Sequence, residues 1–146
     1  MKIFLTMAVL LMVIACKESA VEQWITRAEE NMEVNADSAY RCLHHAMEAN
    51  EWNDELRARY ALRYTQAMHK CRIPLEDDSL INTAVEYYTK SHDRHRLALS
   101  LLYKGLVHKQ NHQVEQAVKA LPSVNNGLKG WRMISIRLCY IIIMVL

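Results

Sequence analysis

The feature that most constrains this chain is a spacing that recurs along it: a small residue, a larger residue four positions on, and a third inward residue three further. Residues 97–124, LALSLLYKGLVHKQNHQVEQAVKALPSV, carry the fullest version. Gly105 lies in one apolar stretch, and Ala117, Leu121 and Val124 lie in the next. Ala39, Leu43 and Ala46 repeat the spacing upstream, as do Ala84, Tyr88 and Ser91. Steps of four and three keep residues on one face of an α-helix. A glycine or alanine at a helix crossing lets two backbones approach closely, and a large residue one turn on fills the groove beside it. The spacing therefore predicts helices packed in pairs. Composition agrees: three glycines, two prolines and a 51% apolar share favour packed helices over loops. A length of 146 residues suits one domain.

These residues resemble the tetratricopeptide repeat, a helix–turn–helix unit of about 34 residues. Gly105 falls at the family's first-helix glycine, Ala117 at its second-helix alanine and Leu121 at its large apolar position. In an earlier first helix, Tyr60, Ala61 and Tyr64 fall at leucine-, glycine- and tyrosine-like positions. Lys104 and His108 depart from the leucine and tyrosine that the family favours, and Pro122 interrupts the second helix. The interval from Ala84 to Ala117 is 33 residues (117 − 84); that from Ala39 to Ala84 is 45 (84 − 39), so the connection at 72–77 carries an insertion. The resemblance implies an all-α fold of helix–turn–helix repeats, stacked as a short tetratricopeptide-like solenoid of about three helix pairs. Its packing residues would be Ala39, Leu43, Ala46, Ala61, Ala84, Tyr88, Gly105, Ala117 and Leu121.

Taken in order, residues 1–15 read as a signal peptide. Lys2 supplies the positive start, and an apolar run broken only by Thr6 follows. The run is too short to span a bilayer as a helix. It ends Val13-Ile14-Ala15-Cys16, which resembles a bacterial lipobox. The resemblance implies cleavage before Cys16 and acylation of its sulfur and of the new amine; an ordinary secretory signal is the rival reading. Lys17 leans toward the outer membrane. A helix over 21–33 presents Trp24, Ile25, Ala28 and Met32 on one face. Asp37 is the expected cap of a helix reaching Ala49. Asn53 is the expected cap of the helix over 54–71, and the acidic run Glu76-Asp77-Asp78 that of a helix over 80–90. Asn111 is the expected left-handed residue closing the next helix.

Segments 15–23, 27–43, 57–70 and 73–105 together resemble the N-terminal part of tetratricopeptide-repeat lipoproteins of the Bacteroides type. In fuller members more repeats follow, and some carry a transmembrane helix and a cytoplasmic helix-turn-helix output domain. The domains expected are thus a signal peptide at 1–15, a repeat domain at 16–126 and an apolar tail at 127–146. For the tail three readings stand open: a cap on the last repeat, a membrane-seeking segment, or out-of-frame sequence. The third ranks first, because the repeat pattern fails in mid-helix.

Chemistry-bearing residues form no recognisable centre. His108 and His112 are four apart, but no carboxylate completes a zinc motif, and the histidines read as surface residues. Cys42, Cys71 and Cys139 lack metal spacing; Cys42 and Cys71 are read as buried single thiols, with a disulfide between them the alternative. No nucleophile motif is present. Net charge is +2, with both signs interleaved, which argues against nucleic acid. Tyr60, Tyr64 and Tyr103 are candidate anchors of a partner-binding groove, with core packing the competing reading. The expectation is a lipid-anchored, non-enzymatic protein-interaction scaffold of the bacterial envelope, or the sensing fragment of a larger regulator, with a protein or peptide partner and no cofactor or metal. The alternative is an envelope lipoprotein that binds a solute or glycan.

Overall fold

Five helices follow one another in the computed structural model, which describes residues 19–117 and 119–120: α1 (Ala20–Asn31), α2 (Ala36–Met47), α3 (Asp54–Lys70), α4 (Ser79–Ser91) and α5 (Arg94–Gln110). Residues 114–117 are again helical, and no strand occurs among the described residues. The leader, Cys16, Leu121, Pro122 and the tail lie outside the described residues.

Each helix starts where a short polar side chain can accept from the first-turn amides. Ser19 accepts from Glu22 N, Asn53 from Leu56 N and Asp93 from Arg96 N. Two caps differ from the sequence expectation. Asn35, not Asp37, caps α2: its Oδ1 accepts from Ser38 N at 3.0 Å, and Asp37 sits in the first turn. At α4 it is Asp77 that accepts from the Ser79 amide and hydroxyl, at 2.9 and 2.6 Å. Asp78 makes no capping bond and turns elsewhere.

Helix ends show a third correction. Asn111 has φ −86°, an ordinary right-handed value. The left-handed residue is the next one, His112, at φ 59°. Arg72 and His92 close α3 and α4 in the same way, at φ 57° and 59°. All three are non-glycine residues in a region that crowds Cβ.

Two apolar cores follow from the spacing. Val21, Ile25, Ala28, Ala39, Leu43 and Ala46 bury between α1 and α2 and against Leu56 of α3. Ala58, Ala61, Leu62, Ile81, Ala84, Tyr88 and Leu106 bury among α3, α4 and α5. The alanines at 28, 39, 46, 61 and 84 are fully or almost fully buried, which is what close helix approach requires. α3 is apolar on most sides because it touches all four other helices. α2 packs on α1 and α3, and α4 on α3 and α5; α2 and α4 do not meet.

The first helices of successive pairs run parallel. Arg59 of α3 meets Glu22 and Glu29 of α1, Arg63 meets Glu29, and Gln66 and Lys70 meet Glu33. Partners climb together along both helices, as only parallel helices allow. The hydrogen-bonded pairs are separated by 30 to 37 residues, one period apart. The same displacement relates α3 to α5, where the rings of His69 and Tyr103 meet at 6.0 Å. The fold is all-α, with helix pairs stacked in a short repeat-like array.

Candidate functional site

The gap between α2 and α4 forms a groove of about 400 Å³, floored by α3. Tyr60 and Ala61 line its base, Met47 and Trp52 one wall, Leu80 and Thr83 the other, and Arg57 also lines it. Trp52 is held by its indole N–H, which donates to Ala49 O at 2.7 Å. Met47 is 55% exposed, unusual for a large apolar residue on a folded surface.

An aromatic array continues from this groove along α2 and α3. Trp52 meets Tyr60 edge-on at 5.3 Å, Tyr60 stacks on Tyr64 at 5.2 Å, and Tyr64 meets Tyr40 at 5.5 Å. Tyr40 then meets His44 edge-on at 4.7 Å. Two of the three candidate groove tyrosines, Tyr60 and Tyr64, are thus brought together. Tyr103 is placed elsewhere, on α5 against His69 and in the second core. Tyr60 and Tyr103 are each only 8% exposed, so packing is their main contact. Burial and neighbouring Tyr40 push the Tyr64 phenol up to about 12, and burial pushes Tyr60 up further. Both are neutral donors or acceptors near pH 7, not bases or nucleophiles.

A second feature lies where α3 and α5 end. His69, Arg72, Ile73, Leu106, Lys109, Gln110 and His112 line another groove of about 400 Å³. Burial, then the charges of Lys109 and Lys70, hold the His69 imidazole below its ordinary range.

A third feature explains the two departures from the repeat pattern at Lys104 and His108. Asp78, released from capping, points at α5. Its carboxylate lies 3.3 Å from Lys104 Nζ and 3.3 Å from His108 Nε2. Lys104 also donates to Asn82 Oδ1 at 2.7 Å, and His108 Nδ1 lies 2.8 Å from Gln113 Oε1. Partial burial pushes the Asp78 carboxyl up, but Asn82, Lys104 and His108 outweigh it and hold it below its usual range. His108 is 8% exposed, so it is not a surface histidine: it ties the end of α5 to α4 and to Gln113. Sequence reading missed this cluster because its members are 22 to 35 residues apart. It also missed the Glu29–Arg59–Arg63 network, although opposite charges one period apart were the available signal.

The expected packing residues Ala39, Leu43, Ala46, Ala61, Ala84, Tyr88, Gly105 and Ala117 are all buried. Cys42 and Cys71 are half-buried free thiols rather than a disulfide. Burial and the Asp37 carboxylate raise the Cys71 thiol. Among the described residues, no three His, Cys, Asp or Glu side chains gather as a metal ligand set. No helix among them is long and apolar enough to cross a membrane. No family model, curated protein or solved structure matches the chain.

Proposed function

We propose that this chain is a lipid-anchored, non-enzymatic scaffold of the bacterial envelope that binds a protein or peptide through its helical repeats. The observation that carries the reading is the groove between α2 and α4, where exposed Met47 stands beside Trp52 and Arg57. An apolar anchor side chain of a partner fits between Met47 and Leu80, with Arg57 at hand for a partner carboxylate. The anchor rests on the Val13-Ile14-Ala15-Cys16 run, which resembles a lipobox. Resemblance to tetratricopeptide-repeat lipoproteins supports the same reading, as does the period of 30 to 37 residues between facing polar partners.

Site-specific photocrosslinking in envelope-bound protein tests the groove. A crosslinker at Met47 should give one discrete adduct, lost with Arg57→Glu. A crosslinker at Val34, also exposed but distant in sequence from the groove walls, should give none. Equal adducts from both positions count against the groove, and saturable calorimetric binding of a small sugar would favour a glycan-binding lipoprotein instead. Cys16→Ala should move the protein from the detergent phase to the aqueous phase; an unchanged partition removes the anchor.

A further inference from the structure

α3 and α5 run parallel and end side by side, and each closes in the same unusual manner. Beyond α3, Ile73 N donates back to Met68 O at 2.9 Å; beyond α5, Gln113 N donates back to His108 O at 2.8 Å. The left-handed residue that this closure needs is commonly glycine. Here it is Arg72 and His112. Both side chains line the groove between the two helix ends.

The groove lining is chemically one-sided. His69, Arg72, Lys109 and His112 are basic, Ile73 and Leu106 are apolar, and no lining residue is acidic. The preceding junction of the array differs. Between α1 and α3 every basic side chain of α3 has a carboxylate: Arg59 has Glu22 and Glu29, Arg63 has Glu29, Lys70 has Glu33. One period further on, that compensation is replaced by like charges facing across the seam. Asn111 holds the seam in place by donating to Glu76 O at 3.0 Å.

We infer that this groove binds a phosphate-class oxyanion carried on an apolar body. A guanidinium fork, an ammonium and two imidazoles converge on one opening, a donor set suited to an anion with several acceptor oxygens. A volume of about 400 Å³ exceeds what the anion alone would fill. The apolar part of the ligand lies on Ile73 and Leu106. Crowding by Lys109 and Lys70 keeps His69 less basic than usual, and an anion between them relieves that repulsion. The same chemistry is offered by a soluble organic phosphate and by the headgroup of an anionic lipid.

Calorimetric titration of the full chain in non-ionic detergent distinguishes them. The probes are inorganic phosphate, dihexanoyl phosphatidylglycerol, and dihexanoylglycerol, which lacks the phosphate. Saturable binding is expected for at least one phosphate probe and not for dihexanoylglycerol. Binding by inorganic phosphate as tight as by the lipid assigns a soluble ligand; binding by phosphatidylglycerol alone assigns a headgroup. Arg72→Gln with Lys109→Gln should weaken binding by about tenfold or more, since each removes a charge-assisted contact. Lys90→Gln, on exposed α4 surface, should leave it unchanged. The His69 ring resonances of the unmodified protein should titrate at higher pH when phosphate probe is bound, a readout that needs no variant to fold. No saturation by either phosphate probe, or saturation that leaves His69 unmoved, overturns the assignment. So does undiminished binding by the double variant.

Discussion

Single residues carry local costs that the sequence alone does not display. His92 adopts φ 59° at the end of α4, and its side chain is exposed. Glycine occupies that region without a Cβ clash, so His92→Gly should stabilise the protein by about 1 kcal/mol. A urea midpoint shifted upward at unchanged slope is the expected result. Tyr88 is 1% exposed, and its hydroxyl has no hydrogen-bond partner among the described residues. Burial pushes that phenol up to about 12. Tyr88→Phe removes a buried polar atom and keeps the ring, so stability should rise by up to about 1 kcal/mol. A fall would show that the hydroxyl is satisfied. His69 offers a third test. Lys109→Gln removes one of the two positive neighbours, and the His69 titration followed by NMR should move up toward its ordinary value.

At the scale of elements, α1 and α3 are joined by charge as well as by apolar contact. Glu29 Oε2 accepts from Arg59 at 2.8 Å and its Oε1 from Arg63 at 3.0 Å. Burial pushes the Glu29 carboxyl up, but the two arginines outweigh it and hold it below its ordinary 4.5. Because the folded carboxyl is the more acidic, its stabilisation is full above the unfolded value. It is lost as pH falls through the depressed folded value. Stability should therefore decline below about pH 4.5, and Glu29→Gln should flatten that limb of a pH series of urea melts. At pH 7 the same substitution should cost about 2 kcal/mol, since Arg59 and Arg63 are left largely buried without their carboxylate. Asn35→Ala should cost about 1 kcal/mol through loss of the α2 cap. The equivalent change at Asp37 should cost less, because Asp37 does not accept from the first-turn amides.

For the whole molecule, the array explains why facing residues recur one period apart. Parallel first helices place position i of one pair beside a position 30 to 37 residues later in the next. The first seam is closed by opposite charges and the second is opened by like ones, so the two seams of one array have different chemistry. The outer helices α2 and α4 stay apart over α3 and leave the groove that the proposed partner occupies. That groove reading makes a stability prediction too. Met47→Glu should abolish crosslinking from neighbouring positions yet leave the thermal midpoint within about 2 °C, because Met47 is largely exposed.

Helix class and pairing were determined by sequence alone. Small and large residues at steps of four and three can satisfy burial only on helix faces, and Ala39, Leu43, Ala46, Ala84 and Tyr88 are buried as that pattern requires. Asn53 could likewise be identified as a cap, because its contact to Leu56 is local. Tertiary structure alone decided which of two adjacent candidates acts. Asn35 takes the cap from Asp37, His112 takes the left-handed turn from Asn111, and Asp77 frees Asp78 to meet Lys104 and His108. It also separated Tyr103 from Tyr60 and Tyr64 and gathered His69, Arg72, Lys109 and His112 at one opening. The physical reason is distance along the chain. Contacts within one turn are dictated by neighbours in sequence, whereas those one repeat apart depend on how two helices are aligned when their faces pack.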